Sequence, residues 1–165
     1  MILPIAKLPA QVLRKPVEEL KFPLKKDILR LIKNMHDTVI SANGVGLACT
    51  QVSKSLDMAL IYLEDAGLPA FPIINPKITK SSKVMTEMEE GCLSLPGVFG
   101  TVKRPKKITV EAYNTNGEKF TITDDTFLAR VLQHEIDHLN NILIIDKFEK
   151  ITTGEELLPK YAEKK

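Results

Sequence analysis

In the run Gln133-His134-Glu135-Ile136-Asp137-His138, two of the chain's three histidines stand four residues apart around a glutamate. On a helix that spacing leaves the two imidazoles about 40° apart around the axis and about 6 Å apart along it, so both can reach one ion. Glu135 then lies about 100° round from His134, where a carboxylate reaches an ion-bound water without being a ligand, the position of a general base. The flanking pattern is helical as well. Phe127, Leu128, Val131, Leu132, Ile136 and Leu139 fall on one side, Asp124 or Asp125 can cap the start, and the helix runs to about Asn140. A helix with an apolar side must be covered, and the segments before it read as the strands that cover it.

Those segments are legible from their periodicity and breakers. Leu24, Ile28, Leu31, Ile32, Met35 and Val39 mark one face of an amphipathic helix that Asn43-Gly44 stops. Met58 to Leu63 is a short apolar run suited to a buried strand, and Phe71 to Ile78 an extended piece broken by Pro72 and Pro76. Ile108 to Tyr113 and Phe120 to Ile122 flank Asn116-Gly117, a tight hairpin turn. The opening segment, interrupted by Pro4, Pro9, Pro16 and Pro23, wraps over the surface. In the tail, Ile142 to Ile145 reads as a short strand and Thr153 to Tyr161 as a frayed helix interrupted by Pro159. The class is α+β, antiparallel β-sheets wrapped around a central helix carrying the HExxH motif, in one domain spanning residues 1–165.

Composition narrows the function. With 23 basic and 21 acidic side chains the net charge is +2, which argues against DNA binding driven by phosphate neutralisation. No Trp, three Tyr and six Phe argue against a base-stacking platform. No apolar run approaches a membrane span, and Met1 to Lys7 lacks the pattern of a signal peptide, so the expectation is a cytoplasmic protein without a membrane role. A reducing compartment argues against a structural disulfide between Cys49 and Cys92. His36, on the first helix, is given no role, and Lys103, Arg104, Lys106 and Lys107 read as a solvated face or loop.

A catalytic metal site takes three protein ligands and keeps an open position. Downstream of His138 only carboxylates offer a third ligand: Asp146, Glu149, Glu155, Glu156 and Glu163. Upstream, Cys92 in Glu90-Gly91-Cys92-Leu93-Ser94 is either a buried, inert thiol or the thiolate that completes a CysHis₂ set. A third segment, Gly44-Val45-Gly46-Leu47-Ala48-Cys49-Thr50-Gln51, is by itself a glycine-rich turn after a helix and lacks the lysine of a phosphate-binding loop.

Taken in order, GVGLACTQ, EGCLS and QHEIDH resemble peptide deformylase, and Leu95-Pro96-Gly97 resembles its bacterial and organellar type. The resemblance extends over Pro9 to Pro16, Leu95 to Pro105 and Leu139 to Asp146. It implies Cys92, His134 and His138 as ligands of one divalent metal ion, Fe2+ in the family, with Zn2+, Ni2+ or Co2+ able to replace it. It also implies Glu135 as general acid and base, with the Gln51 amide and the Leu93 N–H holding the oxyanion. The substrate implied is the N-formylmethionyl nascent peptide, from which formate is released. By the same resemblance Arg104 braces the active-site loop, and Gly46 and Gly91 pair with the peptide backbone. The ribosome is a further expected partner, through Glu155 to Lys165, and a monomer is the default.

Helical spacing places Phe127 and Val131 on the ligand face, as core or as the wall of a methionine pocket; Val45 and Met88 are similar candidates. Cys49 and Thr50 stand where the family often has Ala and Pro, and Asn140-Asn141 where a turn ending in Gly is usual. Two other readings remain at this point. One is a zincin-like endopeptidase with a downstream carboxylate ligand; the other is a non-catalytic binding homologue.

Overall fold

The computed structural model describes residues 1–162. Helix α1 spans Lys26–Ser41, followed by strands β1 (Gly46–Ala48), β2 (Met58–Leu63), β3 (Leu68–Ser81), β4 (Met85–Cys92), β5 (Leu95–Pro105), β6 (Ile108–Tyr113) and β7 (Lys119–Asp124). Helix α2 spans Phe127–Leu139, then come β8 (Phe148–Thr153) and a short α3 (Leu158–Tyr161). All strand pairs within the two sheets are antiparallel, one sheet running β1-β2-β3-β6-β7 and the other β4-β5-β8. The α+β expectation holds.

Strand alternation explains why β2 reads as a continuous apolar run. Ala59 and Ile61 face α2, joining Ile73, Val110, Leu132 and Ile136 in one core. Met58 and Leu60 face α1, with Met35, Val39, Leu47 and Ile74 in a second. A strand covered by a helix on each face needs apolar residues at both parities. A third core, around Leu8, Leu13, Leu95, Val98, Val102 and Leu143, seats the opening segment against the three-stranded sheet. That segment does wrap round the domain, but it sinks Leu13 to full burial, and its Ala6 and Leu8 N–H groups donate to Gln51 O and Ser94 O.

Local chemistry sets the boundaries. At the end of α1, Asn43 takes a left-handed φ of 51° and Gly44 N–H donates back to Val39 O. The β6–β7 turn is a three-residue loop: Asn114 N–H donates to Glu118 O across it, Gly117 takes φ 79°, and Asn114 Oδ1 accepts from Asn116 and Glu118 N–H. Pro72 and Pro76 do not break β3. Pro72 lies outside the stretch paired with β6, and Pro76 falls in the register shift between Ile74 and Lys77, so neither removes a needed donor.

Several boundaries differ from the sequence reading. Thr126, not an aspartate, is the N-cap of α2, accepting from Leu128 N–H, while Asp124 Oδ2 accepts from the N–H groups of Thr126 and Ala129. Ile142 to Ile145 is not a strand: Ile144–Asp146 forms a 3-10 turn, the Asp146 carboxylate accepts from Leu143 N–H, and Arg14 pairs with Asp146. The frayed helix expected over Thr153 to Tyr161 is a 3-10 turn, Glu155–Leu157, followed by α3. Glu163 lies outside the described residues.

Candidate metal centre and its cavity

Helix α2 lies between the two sheets, its apolar side on the larger one and its polar side turned toward the smaller. There Gln133 Nε2 donates to Pro105 O, Arg130 to Val102 O, and Arg104 of β5 to Asp137. His134 and His138 project from this polar side, and Cys92 ends β4 beside them. One donor atom from each of the three lies within 4.8 Å of the others, and Cys92 Sγ is 3.3 Å from His138 Nε2. Donors about 2.0–2.3 Å from a tetrahedral ion stand roughly 3.5 Å apart, so the three residues fit a divalent cation. None of the downstream carboxylates joins this group among the described residues.

The surroundings orient each donor. His134 Nδ1 is 3.1 Å from Glu90 Oε1, which leaves Nε2 to face the ion site. Burial alone would raise the Glu90 carboxyl, but hydrogen bonds with His134 and Arg104 outweigh it and hold the group at about 2. Burial would raise Cys92 too; the imidazoles of His138 and His134 overcome it and favour the thiolate, on which Ser94 N–H also donates at 3.4 Å. Burial dominates at Glu135, which is 3% exposed and pushed above the usual carboxylate range. Among the described residues its Oε2 has no hydrogen-bond partner, nor does His138 Nδ1. Cys49 is different: burial pushes its thiol up, and it packs against Met35 Sδ at 3.6 Å.

Gln51 sits in a short 3-10 turn, Cys49–Val52, directly after β1. Its Oε1 accepts from Ala48 N–H at 2.9 Å, so its amide Nε2 points to Ser94 Oγ at 3.1 Å and Cys92 Sγ at 3.6 Å. Leu93 lines the same cavity, and its backbone N–H donates no hydrogen bond among the described residues. Gly46 is what lets β1 lie against the base. A Cβ there would stand 2.5 Å from Glu135 Oε1.

The cavity opening from these residues has a volume of about 440 Å³ and includes Val45, Gly46, Gly91, Phe127 and Val131 in its wall. Met88 does not line it; it is 44% exposed on β4, so its place as a pocket wall is not what the structure shows. Arg104, placed by sequence in a solvated run, is 3% exposed and joins Glu90 to Asp137. Sequence reasoning missed the part of Glu90 and Arg130. The alternation Val98, Gly100, Val102, Arg104 on the buried side of β5 was the available signal that a charged residue points inward there.

The polypeptide deformylase family model matches residues 2–153. A peptide deformylase of Halothermothrix orenii is 44% identical over 160 residues, 95% of this chain and 99% of that protein. Peptide deformylase 1 of Bacillus cereus is 39% identical over 156 residues, covering 94% and 98%. Among solved structures, a Thermotoga maritima peptide deformylase superposes with a TM-score of 0.85 at 34% identity, over 90% of this chain and 99% of that one. A Synechococcus elongatus peptide deformylase in complex with actinonin gives 0.84 at 35% identity, over 96% and 83%. Sequence, fold and donor set agree, and the chain belongs to the polypeptide deformylase family.

Proposed function

We propose that the protein is a metal-dependent hydrolase that removes the N-formyl group from the N-terminal formylmethionine of newly made proteins and releases formate. The observation that carries this reading is the triangle Cys92, His134 and His138 with an unpartnered, buried Glu135 carboxylate beside it at the head of the cavity. The same set argues against the zincin-like alternative, in which a downstream carboxylate would stand with the histidines.

A bound divalent ion supplies Lewis-acid polarisation and lowers the pKa of water toward roughly 7. Mixed thiolate and imidazole donors suit Fe2+, Zn2+, Ni2+ or Co2+, and the family resemblance favours Fe2+. Glu135 takes the proton of the attacking water and returns it to the leaving amine. The Gln51 amide and the Leu93 N–H face the carbonyl oxygen as its charge develops, each such donor worth about 3 kcal/mol in the transition state. Gly46 against Glu135 leaves little depth behind the carbonyl, which suits a formyl group and excludes larger acyl groups. Phe127, Val131 and Val45 offer the methionine side chain apolar surface, and the backbones of Gly46 and Gly91 flank the peptide.

We place this activity in the cytoplasm, on a monomer, acting on nascent chains at the ribosome. The test is formate release from formyl-Met-Ala-Ser by protein purified without oxygen, with and without chelator. The expected result is chelator-sensitive release, with acetyl-Met-Ala-Ser and a long unformylated peptide left intact. Cleavage inside the long peptide without formate release would overturn the assignment in favour of a protease.

A further inference from the structure

The even overall charge hides an uneven distribution. Residues 76–86, from the end of β3 into β4, and 101–110, from β5 into β6, contain six exposed lysines and no carboxylate: Lys77, Lys80, Lys83, Lys103, Lys106 and Lys107. The two connections between the sheets lie zipped side by side within these segments. Ser82 N–H donates to Lys107 O at 2.8 Å, Lys106 N–H to Val84 O at 2.9 Å, and Lys107 N–H to Ser82 Oγ at 3.1 Å. Lys80 pairs with Thr109 on the adjoining ladder. Two of the six lysines have a carboxylate across a ladder, Lys77 facing Glu111 and Lys103 facing Glu87. The other four do not. The one acid of β7, Asp124, is spent on the N–H groups of Thr126 and Ala129, and none of the four lysines enters an ion pair among the described residues. The 21 acidic side chains of the chain outnumber its remaining basic ones, so a fixed cationic edge stands on an otherwise acidic body. Like charges gathered on one edge repel one another, and a polyanion relieves that repulsion.

We propose that this edge, through Lys80, Lys83, Lys106 and Lys107, docks on the phosphate backbone of duplex RNA. The exposed large apolar side chains of the two segments are Ile78, Val84 and Met85, with no aromatic ring among them. Seating in a bilayer interface draws on Trp, Phe or Leu, and capture of unpaired bases draws on stacking rings, so neither a membrane nor a single strand suits the edge. Contact through phosphates alone needs only cations held on a firm backbone. The choice of RNA over an acidic protein rests on the deformylase reading, in which the substrate is a nascent chain presented by a particle made largely of RNA. Strand β4 runs from this edge to Cys92, about 23 Å at about 3.3 Å per residue, so a docked molecule keeps its cavity clear of the RNA.

The experiment measures binding of a short fluorescent duplex RNA by anisotropy from about 50 to about 200 mM salt. Four lysines on four phosphates should give a slope of about −3.5 in log affinity against log salt. The combined variant Lys80→Glu, Lys83→Glu, Lys106→Glu and Lys107→Glu should bind about 100-fold more weakly at the lowest salt and lose most of that slope. A control with the same change of net charge elsewhere, Lys21→Glu, Lys25→Glu, Lys26→Glu and Lys54→Glu, should keep the slope. Both variants should release formate from formyl-Met-Ala-Ser at the wild-type kcat/KM. Glutamine at the same four edge positions decides the matter if the glutamate variant does not fold. Absence of salt-dependent binding in the wild type, or an equal loss in the control, overturns the inference. Tighter binding to polyglutamate, or to vesicles of phosphatidylglycerol and phosphatidylcholine, overturns it as well. RNA binding with the expected slope by a wild type that releases no formate upholds the docking edge and overturns the deformylase reading alone.

Discussion

The two sheets are held to α2 by different physics. The larger sheet meets the helix through Ile61, Ile73, Val110 and Ala112 packed on Leu132 and Ile136, a contact whose strength comes from removing apolar area from water. The smaller sheet meets the same helix through Glu90, Arg104, Arg130 and Asp137, all linked by ion pairs and mostly buried. Apolar packing tolerates small adjustments of position. A charged network does not, because each member is left uncompensated when a partner shifts. The rigid contact is the one that bears on the site, since it fixes Cys92 on β4 relative to the histidines on α2.

The comparison is broken most severely at the donor set itself. Cys92→Ser should lose the ion and all measurable turnover, whereas Glu135→Gln should keep the ion and lower kcat by about 10²- to 10⁴-fold, read by metal analysis beside formate release.

A pair of substitutions sharpens the contrast between the sheets. Glu90→Gln strips the buried guanidiniums of their shared counter-charge and should cost about 3–5 kcal/mol in denaturant unfolding while weakening metal affinity about 10- to 100-fold. Ile61→Ala should cost a similar 2–5 kcal/mol or so through the cavity it leaves, yet metal affinity should stay unchanged. Equal effects on metal affinity would show that the two contacts are not different in kind.

The same contrast decides what was legible in the sequence. The hydrophobic side of the fold could be read because its signals are periodic: β2, α1 and α2 show their apolar faces directly, and Asn116-Gly117 marks the hairpin. The two histidines of the candidate metal set were legible because HExxH spacing has chemical meaning, and Cys92 because its motif lies among family segments; the structure brings the three donor atoms within 4.8 Å of one another. The strands β4 and β5 were not read as strands. Their inward residues include Glu90 and Arg104, which look like solvent-facing residues until partners from distant elements are known. Arg130 was hidden for the same reason, one charge among the apolar residues of α2, and its meaning depends on Thr86 and Glu90 some 40 residues away.

The smallest expected effect lies away from both contacts. Asp57, beside β2, is raised from 3.8 to about 6 by burial first and by Glu19 second. A carboxyl that binds its proton more tightly when folded contributes stability below about pH 4 that is lost as pH rises toward about 6. Asp57→Asn should flatten that slope in urea midpoints between those values, with metal affinity unaffected.

Cys92 and His138 are separated by 46 positions in the chain, and β5, β6 and β7 are all laid down between them. No local fragment can therefore hold a working centre: the thiolate stands at the end of β4, while the imidazoles are carried by a helix seated between two sheets, the smaller of which is completed only by β8, after that helix. Catalysis in this molecule is consequently a readout of complete tertiary assembly. During refolding, the recovery of deformylation should trail the recovery of helical signal, because the chemistry is the last thing the chain puts together.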